Sequence, residues 1–297
     1  MNIEQYERMR TGQGFIAALD QSGGSTPHAL SAYGIDPSQY KTEVEMFALI
    51  HAMRTRIITS PVFTSNHILA AILFELTMES EVDGLPTAEY LWRRKQIVPF
   101  LKIDNGLQPL VNGVQLMKPI PELADRLEKA NSYGLFGTKE RSLIKESNAT
   151  GISACVDQQF DIAEQVLDAD LVPIIEPEVD INAPEKDWIE HILKRTLLEA
   201  LNSLTDDRNV MLKLTLPVAP NFYQDLINHP RVLRVVALSG GYSREHANEL
   251  LAKNESMVAS FSRALTEGLT SQQSEIEFDQ KLGEAIEQIY KASTIKS

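Results

Sequence analysis

The chain has 297 residues, 43% of them hydrophobic and 23% charged, with 15 Gly and 14 Pro; collagen-like, linker-dominated and low-complexity readings are excluded, and the length suits two ordinary domains or one α/β barrel. Acidic residues outnumber basic ones by 41 to 28, a formal net charge of −13, which argues against a general nucleic-acid binder but leaves room for a local basic site that takes a small anion. The lone cysteine excludes an intrachain disulfide framework and a cysteine-based structural zinc site; no run of 18 apolar residues is present to span a membrane, and residues 1–8 lack the apolar stretch of a signal peptide. A cytoplasmic protein with no membrane or nucleic-acid partner is expected.

Along the chain, strand-length apolar runs alternate with helical stretches. The first predicted strand, 15–20, closes on Asp20 and is followed by Gln21-Ser22-Gly23-Gly24-Ser25. A helical stretch over 36–58 connects it to the second strand, 68–74. The third strand covers 98–104 and the fourth 135–139. A helix containing 161–167 precedes the fifth strand, 171–179. The helix predicted over 185–204 places Trp188, Ile192, Leu193, Leu197, Leu201 and Leu204 on one face. The sixth strand spans 209–216 and the seventh 232–240; Ser243 then caps a helix running through Leu250 and Leu251. The eighth strand is 258–265. Ser274 and Glu277 have capping-box spacing and open a last helix carrying Phe278, Leu282, Ile286 and Ile289. Several strands are apolar on consecutive residues, as strands covered on both faces are. No linker, charge block or repeat marks a boundary. The expected architecture is therefore α/β: a single (β/α)8 TIM barrel over residues 1–297. A doubly wound open sheet is the runner-up, but no strand is followed by its glycine-rich phosphate loop.

In a barrel the C-terminal strand ends carry the chemistry. Here they hold Asp20, Lys102 with Asp104, Lys139, Glu176 with Glu178, Lys213, Ser239 with Gly240 and Gly241, and Arg263. An ionisable residue inside an apolar strand is costly unless paired, yet nearly every strand has one at a similar depth. Lys213 has apolar neighbours on both sides. Burial there favours the neutral amine, a nucleophile that forms Schiff bases with carbonyls; a lysine neutralised by a structural carboxylate fits the same pattern. Glu176 and Glu178, two apart in a strand, share a side. One can act as acid and base while the other pairs with a lysine; two solvated carboxylates at a strand end are the plainer reading. Lys139 supplies a second cation near Lys213. Asp20 is placed to take a proton from a hydroxyl or to pair with Lys139. The Ser/Gly loop after it is a phosphate cradle or simply a turn. The glycines after the seventh strand and Arg263 after the eighth stand where barrels frequently hold phosphate. No two of the six histidines have metal-ligand spacing, so no metal and no cofactor are expected. Cys155, near the start of a helix, is read as structural.

In order, Ala18-Leu19-Asp20-Gln21-Ser22, Phe100-Leu101-Lys102-Ile103-Asp104, Ile175-Glu176-Pro177-Glu178, Met211-Leu212-Lys213, Leu238-Ser239-Gly240-Gly241 and Phe261-Ser262-Arg263 resemble the class I fructose-1,6-bisphosphate aldolases, in the short form found in some bacteria. The resemblance covers essentially the whole chain. It implies reversible, metal-independent cleavage of fructose 1,6-bisphosphate to dihydroxyacetone phosphate and glyceraldehyde 3-phosphate in glycolysis and gluconeogenesis. It also implies roles: Lys213 as the Schiff-base lysine, Glu176 as the carboxylate that helps dehydrate the carbinolamine, Asp20 as the group that takes the C4 hydroxyl proton, and Lys139 as the second active-site lysine. Ser239, Gly240 and Arg263, with the adjoining Gly241, match the C1-phosphate site; Ser22, Ser25, Lys102 and Arg141 match the region that handles the other phosphate.

Gln21 stands where animal enzymes of the family have a glutamate, and the chain ends Ile295-Lys296-Ser297 without their terminal tyrosine tail. Tyr290, in a helix, is not assigned that tail's role. The expected partner is a small sugar bisphosphate, and a monomer and a small homo-oligomer both fit the sequence. Tagatose 1,6-bisphosphate as substrate, another Schiff-base barrel of the transaldolase or deoxyribose-phosphate aldolase kind, and a non-enzymatic scaffold are the alternatives. Two phosphate regions favour a bisphosphate, and the intact set Asp20, Lys139, Glu176 and Lys213 argues against a scaffold.

Overall fold

All eight apolar runs become strands of one closed ring. The computed structural model describes residues 2–22, 24–205 and 208–297. The barrel strands are β1 Phe15–Leu19, β2 Ile68–Leu73, β3 Val98–Lys102, β4 Gly137–Ile144, β5 Val172–Val179, β6 Val210–Thr215, β7 Val232–Leu238 and β8 Val258–Phe261. Each pairs in parallel with its sequence neighbour, β3 with β4 included, and β1 pairs with β8 at Ile16↔Ser260 and Ala17↔Phe261, which closes the circle. This is the TIM-barrel fold.

The helices are α1 Ile3–Thr11, α2 Ser25–Ala32, α3 Glu43–Thr59, α4 Glu75–Glu79, α5 Thr87–Lys95, α6 Leu123–Ser132, α7 Ala149–Asp168, α8 Lys186–Ser203, α9 Gln224–Ile227, α10 Arg244–Ala252, α11 Arg263–Thr266 and α12 Glu275–Thr294. Side-chain caps start several of them: Asn2 accepts from Gln5 N, Thr42 from Glu45 N, Asn148 from Gly151 N and Ser243 from His246 N, while Ser274 and Glu277 form the expected capping box. Among the described residues no helix is long and apolar enough to cross a membrane.

The two-residue period of the strands sorts the core into two layers. Ile16, Ala18, Ala70, Ile72, Val98, Phe100, Val172, Ile174, Met211, Val236 and Val258 point inward and form an apolar plug with Met9 of α1. The alternate residues, such as Phe15, Leu19, Leu73, Leu101, Ile175, Leu212 and Leu214, pack outward against the helices. Burying a large apolar side chain contributes roughly 1.5–3 kcal/mol, so the lower barrel is held firmly. The inward parity continues upward from Ala18 to Asp20, from Phe100 to Lys102, from Ile174 to Glu176 and from Met211 to Lys213. The same alternation that builds the plug therefore aims the ionisable groups into the mouth.

The structure departs from the predicted elements at defined points. The helix predicted over 36–58 is broken: Asp36 caps a 3-10 turn, Pro37–Gln39, and α3 begins only at Glu43 after the Thr42 cap. The fourth strand continues five residues past 139 to Ile144. Its upper part is polar on both faces, so no apolar run signals it. The eighth strand stops at Phe261, and Arg263 opens the short helix α11. Trp188 leaves the buried face of α8: it is 57% exposed and stacks on His191. Cys155 sits well inside α7, where burial pushes its thiol up to about 12.

Candidate active site

At the C-terminal end of the barrel a cavity of about 720 Å³ brings together Asp20, Ser25, Lys102, Lys139, Arg141, Glu176, Glu178, Lys213, Ser239, Gly240, Gly241 and Arg263. Of the predicted site residues, only Ser22 stays out of the lining. Its amide is occupied by the Ser25 hydroxyl at 3.0 Å, and that hydroxyl donates back to the Ser22 carbonyl at 2.9 Å. The Ser22 amide of the predicted phosphate loop is thus already taken, by the first residue of α2. Its Gly23 lies outside the described residues.

The centre of the site is a buried chain of alternating charge. The Lys139 ammonium lies 2.8 Å from Asp20 Oδ2, 3.0 Å from Glu176 Oε2 and 3.9 Å from Asp104 Oδ2. The other oxygen of Glu176 lies 3.0 Å from Lys213 Nζ. Lys139, Glu176, Lys213 and Asp20 are 2%, 3%, 4% and 8% exposed. Water is therefore largely excluded, and each charge is compensated by its neighbours. Burial pushes the Lys139 ammonium down, but Asp20, Glu176 and Asp104 outweigh it and hold the amine protonated, above its usual range. Burial pushes the Asp20 carboxyl up, but Lys139, Lys213 and Lys102 outweigh it and hold the group well below the usual carboxylate range.

Asp104, which has no assigned role at the sequence level, belongs to this chain. Its Oδ1 accepts from Lys102 Nζ at 2.7 Å and from the Gly106 amide at 3.1 Å. Burial lowers the pKa of Lys102 against the pull of Asp104. Its signal in the sequence is the Lys102-Ile103-Asp104 spacing at a strand end. Glu178 pairs with Arg141 Nε at 2.5 Å, so its partner is an arginine and not the predicted lysine. The two sit on β5 and β4, and the extension of β4 beyond 139 is what places Arg141 there. Glu140 lies on the opposite face of β4; burial, with Asp104 adding to it, holds its carboxyl far above the usual range.

Across the mouth, Arg263 differs from the other cations. Among the described residues no carboxylate pairs with it, and its guanidinium faces the Ser239-Gly240-Gly241 turn. Gly240 and Gly241 have φ of +61° and +112°, a region that favours glycine. A Cβ on Gly241 would come within 3.6 Å of Arg263 Nη2, and one on Gly240 within 2.5 Å of Ile181 Cγ2. Side chains are absent where an anion would sit against backbone and guanidinium.

The cavity also meets His28, Tyr242, Ser260, Ser262 and Glu267. Among the described residues no three His, Cys, Asp or Glu side chains gather so as to hold a metal ion. The arrangement provides a lysine amine beside a carboxylate, a second lysine fixed as an ammonium, an ionised carboxylate on its far side, and an unpaired arginine at a glycine turn. Together they can perform amine addition to a carbonyl, proton transfer, and binding of an oxyanion.

A family model described as fructose-bisphosphate aldolase class-I matches residues 6–224. A protein of Synechocystis sp. named fructose-bisphosphate aldolase class 1 is 60% identical over 292 residues, which is 98% of this chain and 97% of that one. One of the same name from Porphyromonas gingivalis is 57% identical over 293 residues, 99% of each. Among solved structures, fructose-bisphosphate aldolase from Plasmodium falciparum superposes with a TM-score of 0.76 at 19% identity, covering 99% of this chain and 95% of that one; at that identity the likeness speaks to the fold.

Proposed function

The chain belongs to the class I fructose-bisphosphate aldolase family, and from that premise we propose how its residues divide the work. The activity is the reversible, Schiff-base-dependent cleavage of fructose 1,6-bisphosphate to dihydroxyacetone phosphate and glyceraldehyde 3-phosphate. One barrel domain, residues 1–297, carries it in the cytoplasm. The observation that supports the assignment best is the Glu176 carboxylate lying 3.0 Å from both Lys213 and Lys139.

Lys213 is the nucleophile. Glu176 accepts its proton, freeing the amine to attack the substrate ketone, and returns a proton to the hydroxyl that leaves as water. The protonated imine is the electron sink for the next step. Asp20, held ionised by Lys139, removes the C4 hydroxyl proton, and the C3–C4 bond breaks. Glyceraldehyde 3-phosphate departs and an enamine remains; protonation and hydrolysis release dihydroxyacetone phosphate. Lys139 stays an ammonium throughout and fixes Asp20 and Glu176 on either side of the reacting carbons. Arg263 with Ser239, Gly240 and Gly241 binds the phosphate next to the imine. Ser25, Lys102 and Arg141 lie on the side that receives the other phosphate, where Arg141 must exchange part of its contact with Glu178. Phosphates bound far from the reacting bond orient the substrate for it.

Borohydride reduction in the presence of dihydroxyacetone phosphate, followed by peptide mass mapping, tests the assignment. The expected result is one covalent adduct on Lys213, formed equally in EDTA. An adduct elsewhere, or none together with turnover abolished by EDTA, overturns it.

A further inference from the structure

Arg54 is the largest fully buried side chain, 1% exposed, in the middle of α3. Among the described residues no carboxylate pairs with it. Burial lowers its pKa to about 10 against the pull of Asp20. A guanidinium at that depth is costly unless its donors are used; Nε has no partner among the described residues, and the two terminal nitrogens carry the contacts. Nη1 donates to Thr77 Oγ1, and Nη2 donates to the Gln21 carbonyl at 2.5 Å and lies 3.3 Å from Gln21 Oε1. Gln21 in turn donates from Nε2 to Ser262 Oγ at 2.6 Å.

These contacts form a strap, Thr77–Arg54–Gln21–Ser262, across the ends of β2, β1 and β8. Two of its members are next in sequence to groups that touch the substrate: Gln21 follows Asp20, and Ser262 precedes Arg263. The Gln21 amide faces Arg54 with its oxygen and donates to Ser262 with its nitrogen, so one side chain links the two.

We infer that Arg54 is a positioning residue for carbon–carbon cleavage, acting through Gln21 to hold the Asp20 carboxylate at the C4 hydroxyl. The inference rests on the role given to Asp20 above. It separates two half-reactions. Imine formation needs Lys213 and Glu176, which lie on β6 and β5 and, among the described residues, make no hydrogen bond or ion pair with the strap. Cleavage needs Asp20, which is part of the strap's own loop. A displacement of about 1 Å at a reacting group costs about 100-fold in rate.

Arg54→Met keeps the length and removes the donors. Its expected result is a kcat for cleavage about 100-fold lower, with KM little changed and the Lys213 adduct with dihydroxyacetone phosphate still formed on borohydride reduction. Arg54→Lys, which keeps a donor to Gln21, recovers part of the rate. Wild-type kcat in a folded Arg54→Met, or joint loss of cleavage and adduct, overturns the positioning role. If Arg54→Met does not fold, Gln21→Ala is the deciding variant: it leaves the Arg54 contact to the backbone and cuts the link to Ser262. A tenfold or greater fall in kcat with the adduct retained supports the strap, and an unchanged kcat overturns it. Failure of the wild-type protein to form the Lys213 adduct would instead refute the underlying assignment, so the two failures are distinct.

Discussion

The barrel has a cation-lined cavity at each end, and the two differ in where the N–H groups go. At the N-terminal end Arg10, Arg234 and Lys296 line a cavity of about 430 Å³. Arg234 donates to the carbonyls of Met9, Arg10 and Gly12, and so caps the C-terminus of α1. Lys296 donates to the carbonyls of Leu251 and Ala292, near the ends of α10 and α12, and of Met257, just before β8. These cations complement helix C-terminal dipoles and orphan carbonyls. At the C-terminal end the lysines and Arg141 face carboxylates, and among the described residues Arg263 pairs with none. A lysine or arginine in a cavity is therefore not a binding site in itself. What separates scaffold from chemistry is whether its donors are occupied by fixed backbone or by groups a substrate can replace.

Substitutions at the two ends test that distinction. Lys213→Ala has the largest expected effect, a fall in kcat of roughly 10⁵-fold with no borohydride adduct; turnover near wild type would remove the imine from the mechanism. Lys139→Met comes next, lowering kcat about 10²–10⁴-fold. It also takes from Asp20 the cation that depresses its pKa, so the acid limb of kcat/KM moves to higher pH; a pH–rate profile with an unmoved limb would dissociate the two groups. Arg263→Ala removes a charge-assisted contact of about 1.5–3 kcal/mol and raises KM about 10- to 100-fold, with little change in melting temperature. Arg234→Met inverts that pattern. It orphans carbonyls of α1, lowers stability by about 1–3 kcal/mol in denaturant titrations and leaves KM unchanged. If both arginine variants altered KM alike, the two ends would not differ as described.

The smallest effect concerns Lys296. Burial holds its amine down to about 8, against an ordinary 10.5. Between those values the unfolded chain binds a proton that the native chain does not, so the native state gains stability as pH rises through that window. The difference between wild type and Lys296→Met, measured by denaturation across pH 7 to 11, should grow in favour of wild type by about 1 kcal/mol at this partly screened position.

Much of this was legible in the residues. Strands buried on both faces announce themselves as apolar runs, so all eight are legible, and an ionisable group within such a run stands out, as Lys213 and Glu176 do. Legibility fails where the pattern itself is polar. The upper part of β4, Lys139-Glu140-Arg141-Ser142, alternates polar groups between two buried faces, so no apolar run marks it and only the resemblance points to Arg141. Arg54 left no local signal, because an arginine in a helix reads as a surface residue. Its partners Gln21 and Ser262 come from distant parts of the chain, and only the closed ring reveals them. The mutual closure of Ser22 and Ser25 is equally invisible, since a Ser/Gly loop reads the same whether its donors are free or taken.

The β1–β8 pairing joins the first barrel strand to the last, and Asp20 and Arg263 stand on its two sides. Glu176 and Lys213, on neighbouring strands, can meet earlier in folding. Closure of the ring by the β1–β8 pairing is the expected slow step of refolding, because long-range parallel pairing is slow to form. In a refolding experiment, the return of turnover would time the moment at which the two ends of the polypeptide find each other.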